Sequence, residues 1–359
     1  MVRHGRTLIK KYEWFAEDPR NIRLGLATDG FNPFGKMNAT YSMWPVFLVP
    51  YNFPPWVCME QSNFMMSLLI PGKDFDVFLE PLVEELLGLW KGVSTFDTVS
   101  RKTFDLHAAV IWCIHDYPAL STLPGRVTRG YYACVRCDKN PCSRRIRNKI
   151  CYIGHRRFLP TDHLWRRKKC FDGQVEERGK LEDFTLEEFM QQLERVKDVR
   201  PGKHPQSKKR KRGEDDQCWK RRSCLFDLPY WTSLKLRHNL DVMHIEKNIC
   251  DYILATFLGL VGKSKDNINA RLDLDDMGIR KKLHLRYDGK SYSVPHAPYT
   301  MDKAQKQAFC DFISVKFPDG FASNIATHIT TDAIYYSKGF YLLLSEESCI
   351  RTSMKHLQN

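Results

Sequence analysis

Two aspartates in this chain stand where an apolar run gives way to a turn. Asp29 follows Ile22 to Thr28 (IRLGLAT) and precedes Gly30, and Asp116 follows Thr103 to Ile114 (TFDLHAAVIWCI) within His115-Asp116-Tyr117-Pro118. Carboxylates brought together at neighbouring strand ends can hold Mg2+, a hard cation that takes oxygen ligands. Two such ions about 4 Å apart stabilise the attacking and leaving oxygens of a phosphoryl transfer. Each aspartate taken alone is equally a turn residue, because Asp before Gly or Pro is common in turns. A second group offers softer donors: Cys134-Val135-Arg136-Cys137, then Cys142, Cys151, His155 and His163. A CxxC places two thiolates on one ion in a tight knuckle, and zinc then needs two more N or S donors at tetrahedral geometry. Cys142 is the expected third ligand and His155 the fourth, with Cys151 and His163 as alternates; unligated, reduced cysteines are the competing reading. With all four positions filled the zinc is structural, and a short Arg-rich loop without a core depends on it to fold.

The elements that must position these groups follow from the apolar runs. Ile22 to Thr28 reads as a strand; Met43 to Tyr51 (MWPVFLVPY) and Asn63 to Ile70 (NFMMSLLI) read as two more, separated by the turn signal Pro54-Pro55, which suggests an antiparallel meander. Phe75 to Trp90 spaces Val77, Phe78, Leu82, Leu86 and Leu89 as a helix, with Pro81 expected to kink or restart it. Thr103 to Ile114 is long enough for a strand or a helix, and a buried strand is the favoured reading. If the first and fourth strands are neighbours in a mixed sheet, Asp29 and Asp116 end side by side. Leu181 to Val196 predicts an amphipathic helix, with Thr185 and Glu188 as a capping box. The stretch from Leu260 to Pro318 carries no catalytic constellation and is expected to be mostly helical.

Charge narrows the partner. The chain has 359 residues, with 56 Lys+Arg against 42 Asp+Glu and a formal charge of +14; a length of this order allows about two domains. Arg126 to Lys169 holds fourteen Lys or Arg against two Asp, and Arg200 to Arg222 holds ten against three acids, so the remainder is slightly acidic. Basic residues interleaved with Tyr131, Tyr132, Tyr152, Phe158 and Trp165 suit nucleic acid, since phosphates need cations and bases stack on rings. Arg136, Arg144, Arg145, Arg156, Arg157, Arg166 and Arg167 are the candidate DNA contacts. Lys208, Lys209, Arg210, Lys211 and Arg212, in a Pro/Gly-flanked linker, read as a nuclear localisation signal, with a solvated loop as the alternative. Hydrophobic residues at 43% exclude a disordered chain. The absence of a long apolar run excludes a membrane span, and the start MVRHGRTLIKKYEWF lacks a signal peptide's apolar core. The twelve cysteines are therefore expected to be reduced thiols with one metal site rather than a disulfide scaffold.

Longer stretches carry a resemblance. LGLATDGFNPFGKMNATYSMWPV, HAAVIWCIHDYPAL, GHRRFLPTDHLWRR, LPYWTSLKLRHNLDVMHIEKNICDYIL, RLDLDDMGIRKKLH and VKFPDGFASNI, in that order from about Asp18 to Ile325, resemble plant CACTA-type (En/Spm-like) transposases. The resemblance implies an α/β, ribonuclease-H-like mixed sheet carrying an acidic metal-binding triad, and DNA cleavage and strand transfer at transposon ends with Mg2+ or Mn2+. Carried over by position, Asp29 is the first acid and Asp116 the second. Asp241 and His244, in LDVMH, resemble an Asp-x-x-His element, whose i, i+3 spacing sets both side chains on one helix face. Two alternatives stand beside this: His244 packs within a helix spanning 240 to 258, or Asp241 is itself the second acid.

The expected organisation is a first part of the catalytic core over 1–125, a basic Cys/His zinc-binding insertion over 126–170, an amphipathic helix and basic linker over 171–225, and a helical C-terminal region over 226–359. The third carboxylate of the family pattern is not identified in the tail Tyr335 to Asn359, where Glu346 and Glu347 lack a matching motif, and the start lacks a DNA-end-recognition region. The expectation is a nuclear, DNA-binding transposase relative truncated at both ends and impaired in catalysis. It binds zinc and transposon ends, with self-association or another transposon-encoded protein as a further partner. The alternative is a zinc-containing DNA-binding remnant without chemistry.

Overall fold

The computed structural model describes residues 8, 10–34, 41–72, 75–137, 139–147, 149–181, 184–199, 218–260 and 262–313. In chain order the elements are helix α1 (Glu13–Glu17), strands β1 (Ile22–Thr28), β2 (Met43–Pro50) and β3 (Met65–Pro71), helix α2 (Phe75–Lys91), and strands β4 (Val93–Asp97), β5 (Lys102–Leu106) and β6 (Ala108–His115). There follow β7 (Ser143–Ile146), β8 (Lys149–Tyr152), α3 (Leu186–Glu194), β9 (His238–Leu240), α4 (Val242–Phe257), α5 (Ile268–Asp276), β10 (Arg286–Tyr287), β11 (Tyr292–Ser293) and α6 (Lys303–Ile313). The chain divides into two compact units, 1–138 with 183–241, and 139–182 with 242–359; the crossing at 138 falls inside the cysteine-rich loop.

The first unit is mixed α/β, built on a five-stranded sheet in the order β3-β2-β1-β6-β9. The first three strands form the expected antiparallel meander, with Gly25 opposite Val49 and Val46 opposite Leu68. The direction then changes: β6 runs parallel to β1, with Ala27 opposite Ile114, and β9 runs parallel to β6, with His115 opposite Leu240. Ala108 to Cys113 are buried without interruption, as befits a central parallel strand covered on both faces.

Helix α2 packs on β6 and β3 through buried Phe75, Leu79, Leu82, Val83 and Leu86. Leu79 and Leu86 are fully enclosed, so truncating either to Ala would cost about 2–5 kcal/mol. Pro81 does not restart the helix, which runs from Phe75 to Lys91 across it. The carbonyl that Pro81 cannot serve belongs to Val77, which is exposed and can be satisfied by water.

The run Thr103 to Ile114 is two strands, not one. It breaks at His107, and β5 turns away to pair with β4 in a hairpin. Its alternating exposure, against the continuous burial of β6, marks the change of environment. The capping box of α3 forms as expected, with Glu188 N donating to Thr185 Oγ1 at 3.2 Å and Thr185 N donating to Glu188 Oε2 at 2.9 Å.

In the second unit α4 lies within the helix anticipated over 240–258, but the stretch from Leu260 is not mostly helical: among its described residues the α-helices are α5 and α6, of 9 and 11 residues, and β10 and β11 form a small hairpin between turns. Hairpin β7–β8 is tied to α5 by a two-pronged ion pair, Arg147 Nε to Asp276 Oδ2 at 2.6 Å and Nη2 to Oδ1 at 2.8 Å, and by Lys149 Nζ to Asp273 Oδ2 at 2.5 Å. Part of the basic surplus is thereby neutralised inside the unit. The basic cluster at 208–212 and the tail with Glu346 and Glu347 lie outside the described residues. No described helix is long and apolar enough to cross a membrane.

Candidate functional site

The switch from antiparallel to parallel pairing gathers three strand ends on one edge of the first unit's sheet. The β1–β6 register runs to Ala27 opposite Ile114, and Asp29 and Asp116 each follow directly on the end of their strand. Carrying the β6–β9 register one residue beyond His115 and Leu240 sets Asp116 beside Asp241, and the backbone N–H of Asp241 donates to His115 O at 2.8 Å, continuing the ladder to that point. Each of the three aspartates thus stands one residue past the C-terminal end of one of three neighbouring parallel strands, β1, β6 and β9.

Local packing fixes each member. Gly30 follows Asp29 because Trp44 leaves no room for a side chain: a Cβ there would stand 2.7 Å from the indole. Phe31 then pairs with Met43 through both backbone bonds, at 2.9 and 2.8 Å, which anchors the turn. Asp116 is half-buried and its Oδ1 accepts from Ala119 N at 2.8 Å, capping the single turn Pro118–Ser121. Asp241 directly precedes α4, and His244 lies in that helix's first turn. Among the described residues the three carboxylates do not draw together into one tight group.

Behind Asp116 lies a histidine pair, His115 buried and His238 half-buried, that the sequence did not announce. His115 Nε2 is 3.1 Å from His238 Nδ1, and His115 Nδ1 is 2.9 Å from Asp116 O. Burial pushes both imidazoles below their ordinary range; for His238 the cations of Arg237 and Arg126 and the neighbouring His115 add to it.

In the cysteine-rich loop, Cys134, Cys137 and His155 bring their ligand atoms within 4.8 Å of one another. This trio could hold a metal ion, and two thiolates with an imidazole suit zinc. Cys142, Cys151 and His163 are not in it. Cys142 is buried, with the Arg157 guanidinium 4.0 Å from its sulfur, and His163 Nδ1 accepts from Trp165 N at 3.1 Å, capping the turn Leu164–Arg167.

The candidate DNA-contacting arginines divide. Arg156 spends its guanidinium internally: Nη1 donates to the carbonyls of Trp165, Arg166 and Lys168 at 2.8, 3.2 and 2.7 Å, and Nη2 to Asp172 Oδ1 at 2.5 Å and Gln174 O at 3.0 Å. Arg166 is buried and donates to the carbonyls of Arg156, Leu159 and Arg178. Arg157 is buried and donates to Gly179 O at 2.8 Å. Arg136, Arg145 and Arg167 are exposed and Arg144 is half-buried. Sequence spacing could not separate the two sets, because an arginine that serves carbonyls and one that serves phosphates have the same neighbours in the chain.

Residues 3–196, more than half of the chain, match the family model described as transposase family tnp2. No curated protein matches the chain.

Proposed function

The chain belongs to the tnp2 transposase family, and from that membership we propose that it is the catalytic core of a CACTA-type (En/Spm-like) transposase that cleaves and transfers DNA strands at transposon ends. Membership in a transposase family implies DNA as the partner. The observation that supports the chemistry is that Asp29, Asp116 and Asp241 each directly follow one of three neighbouring parallel strands. Three antiparallel strands followed by two parallel ones, with acids at the ends of β1 and β6, support a ribonuclease-H-like reading of the sheet.

On this reading Asp241 supplies the third carboxylate. Carboxylate oxygens on adjacent strands are the donors that Mg2+ or Mn2+ prefers. Bound there, such ions supply Lewis-acid charge to a phosphodiester and to the attacking oxygen. The chain's own residues set the geometry. Gly30 and the Phe31–Met43 pairing fix Asp29, the β6–β9 ladder fixes Asp241 against His115, and Arg144, Arg145 and Arg167 offer cations to the DNA backbone. Cys134, Cys137 and His155 hold a structural zinc, with the fourth donor unassigned, and Lys208 to Arg212 direct the protein to the nucleus.

Nicking of supercoiled plasmid in Mg2+ or Mn2+ tests the reading. The wild-type chain should nick, and Asp29→Ala, Asp116→Ala and Asp241→Ala should each lose about 100-fold or more with unchanged circular dichroism. Loss in the first two variants alone would remove Asp241 from the triad.

A second reading, a DNA-binding protein without chemistry, is favoured by one observation: Asp116 Oδ1 is already engaged in capping a turn. Retained DNA binding with no nicking by the wild type would select it.

A further inference from the structure

One exposed patch of the second unit combines rings with cations. Trp165 and Phe171 are 52% and 46% exposed, with ring centroids 5.8 Å apart and planes tilted by 51°. Between them in sequence run Arg167, Lys168 and Lys169, all exposed, and Asp162 is the single acid from Asp162 to Phe171. The rings are not carried on a slack loop. Arg156 gathers the carbonyls of Trp165, Arg166 and Lys168 together with the carboxylate of Asp172, and its guanidinium lies 5.3 Å from the Phe171 ring. A half-buried cation therefore ties down the backbone that carries both rings while more than half of the Trp165 surface faces water, and a preorganised surface loses little freedom on binding.

We propose that this patch is a stacking platform for an unpaired stretch of DNA, in which a base lies on Trp165, Phe171 walls its edge, and Arg167, Lys168 and Lys169 meet the flanking phosphates. The proposal rests on the DNA reading above and adds to it a preference for unpaired strands. Intact duplex keeps its base faces stacked and offers only edges and phosphates, so exposed rings have nothing to stack on; an unpaired strand presents faces and phosphates together. A protein partner fits less well, because lysine is depleted from protein interfaces. Strand cleavage supplies the substrate, since cut ends fray.

The test measures fluorescence anisotropy of the full chain against labelled oligothymidylate of about 20 nucleotides and against a duplex of equal length, at two salt concentrations. Trp165→Ala should weaken single-strand binding about tenfold or more while changing duplex binding by less than about twofold, and Trp165→Phe should restore most of the loss. Both substitutions are at an exposed ring, and matched thermal melts confirm that the fold is kept. Lys168→Ala with Lys169→Ala should weaken single-strand binding and flatten its salt dependence. Equal loss on both DNAs, or no loss on either, overturns the platform, as does tighter binding of an oligouridylate. If the wild type binds duplex but ignores the single strand, the platform alone fails. If it binds neither, the DNA reading fails with it.

Discussion

His115 and His238 face each other across the β6–β9 pairing, Nε2 to Nδ1 at 3.1 Å, immediately behind Asp116. The backbone carbonyl of Asp116 accepts from His115 Nδ1–H, so His115 Nε2 carries the lone pair and His238 Nδ1–H must donate to it. His238 Nε2 is then a bare acceptor, and it is buried without a hydrogen-bond partner beside the Trp231 ring. Protonating His238 would keep its Nδ1–H bond to His115 but turn Nε2 into a buried N–H donor with no partner. A proton arriving on His238 would be buried next to Arg237 and Arg126.

Stability therefore falls as the solution is acidified. The folded-state value of His238 is depressed while the unfolded value is 6.5, so its contribution is full above that value and is lost as pH drops through the window below it. The slope for one proton is about 1.4 kcal/mol per pH unit. Urea unfolding between about pH 8 and 5.5 should show this decline, and His238→Gln, which cannot take up the proton, should show a shallower one. Identical slopes for the two proteins would contradict the assignment.

The second expectation concerns metal. Zinc bound by Cys134, Cys137 and His155 should appear as one ion per chain in elemental analysis, and Cys134→Ser or Cys137→Ser should abolish it. Cys142→Ser should retain it, because that sulfur is buried against Arg157 rather than gathered with the trio. Zinc lost from Cys142→Ser and kept in Cys137→Ser would reverse the ligand assignment.

What the sequence revealed and what it hid have separate causes. The meander and the central strand were legible because buried strands are continuous apolar runs: Leu24, Leu26, Val46 and Ile70 sit in one core. The adjacency of β1 and β6, on which a meeting of Asp29 and Asp116 depends, is the strand order that the sequence reading assumed. The hairpin β4–β5 was hidden, since Val93 to Leu106 is half-exposed and lacks a compact Gly turn; its corner is made by Arg101 at φ 53°. Asp241 stood out in the sequence only through family resemblance, because β9 is three residues long and no periodicity exists in three residues. The histidine pair was invisible because its members are 123 positions apart.

The third expectation separates arginines that build from arginines that bind. Arg156 and Asp172 are 11% and 10% exposed at their side chains, and the guanidinium serves four carbonyls as well as the carboxylate. Arg156→Lys keeps the charge but replaces a planar fork by a single ammonium that cannot reach five acceptors. Arg156→Ala leaves Asp172 buried and unpaired, at a cost of about 3–5 kcal/mol. Both variants should melt earlier, the alanine more so, with faster amide exchange confined to residues 154–179. Arg145 is exposed on β7 and pays no such structural role. Arg145→Ala should leave stability within about 0.5 kcal/mol, weaken duplex binding, and reduce the salt dependence of affinity by about one phosphate's worth. Paired melting curves and salt-titrated binding on the two alanine variants provide the check: if Arg145→Ala destabilises as much as Arg156→Ala, or Arg156→Ala alters only the salt slope, the division of roles is wrong.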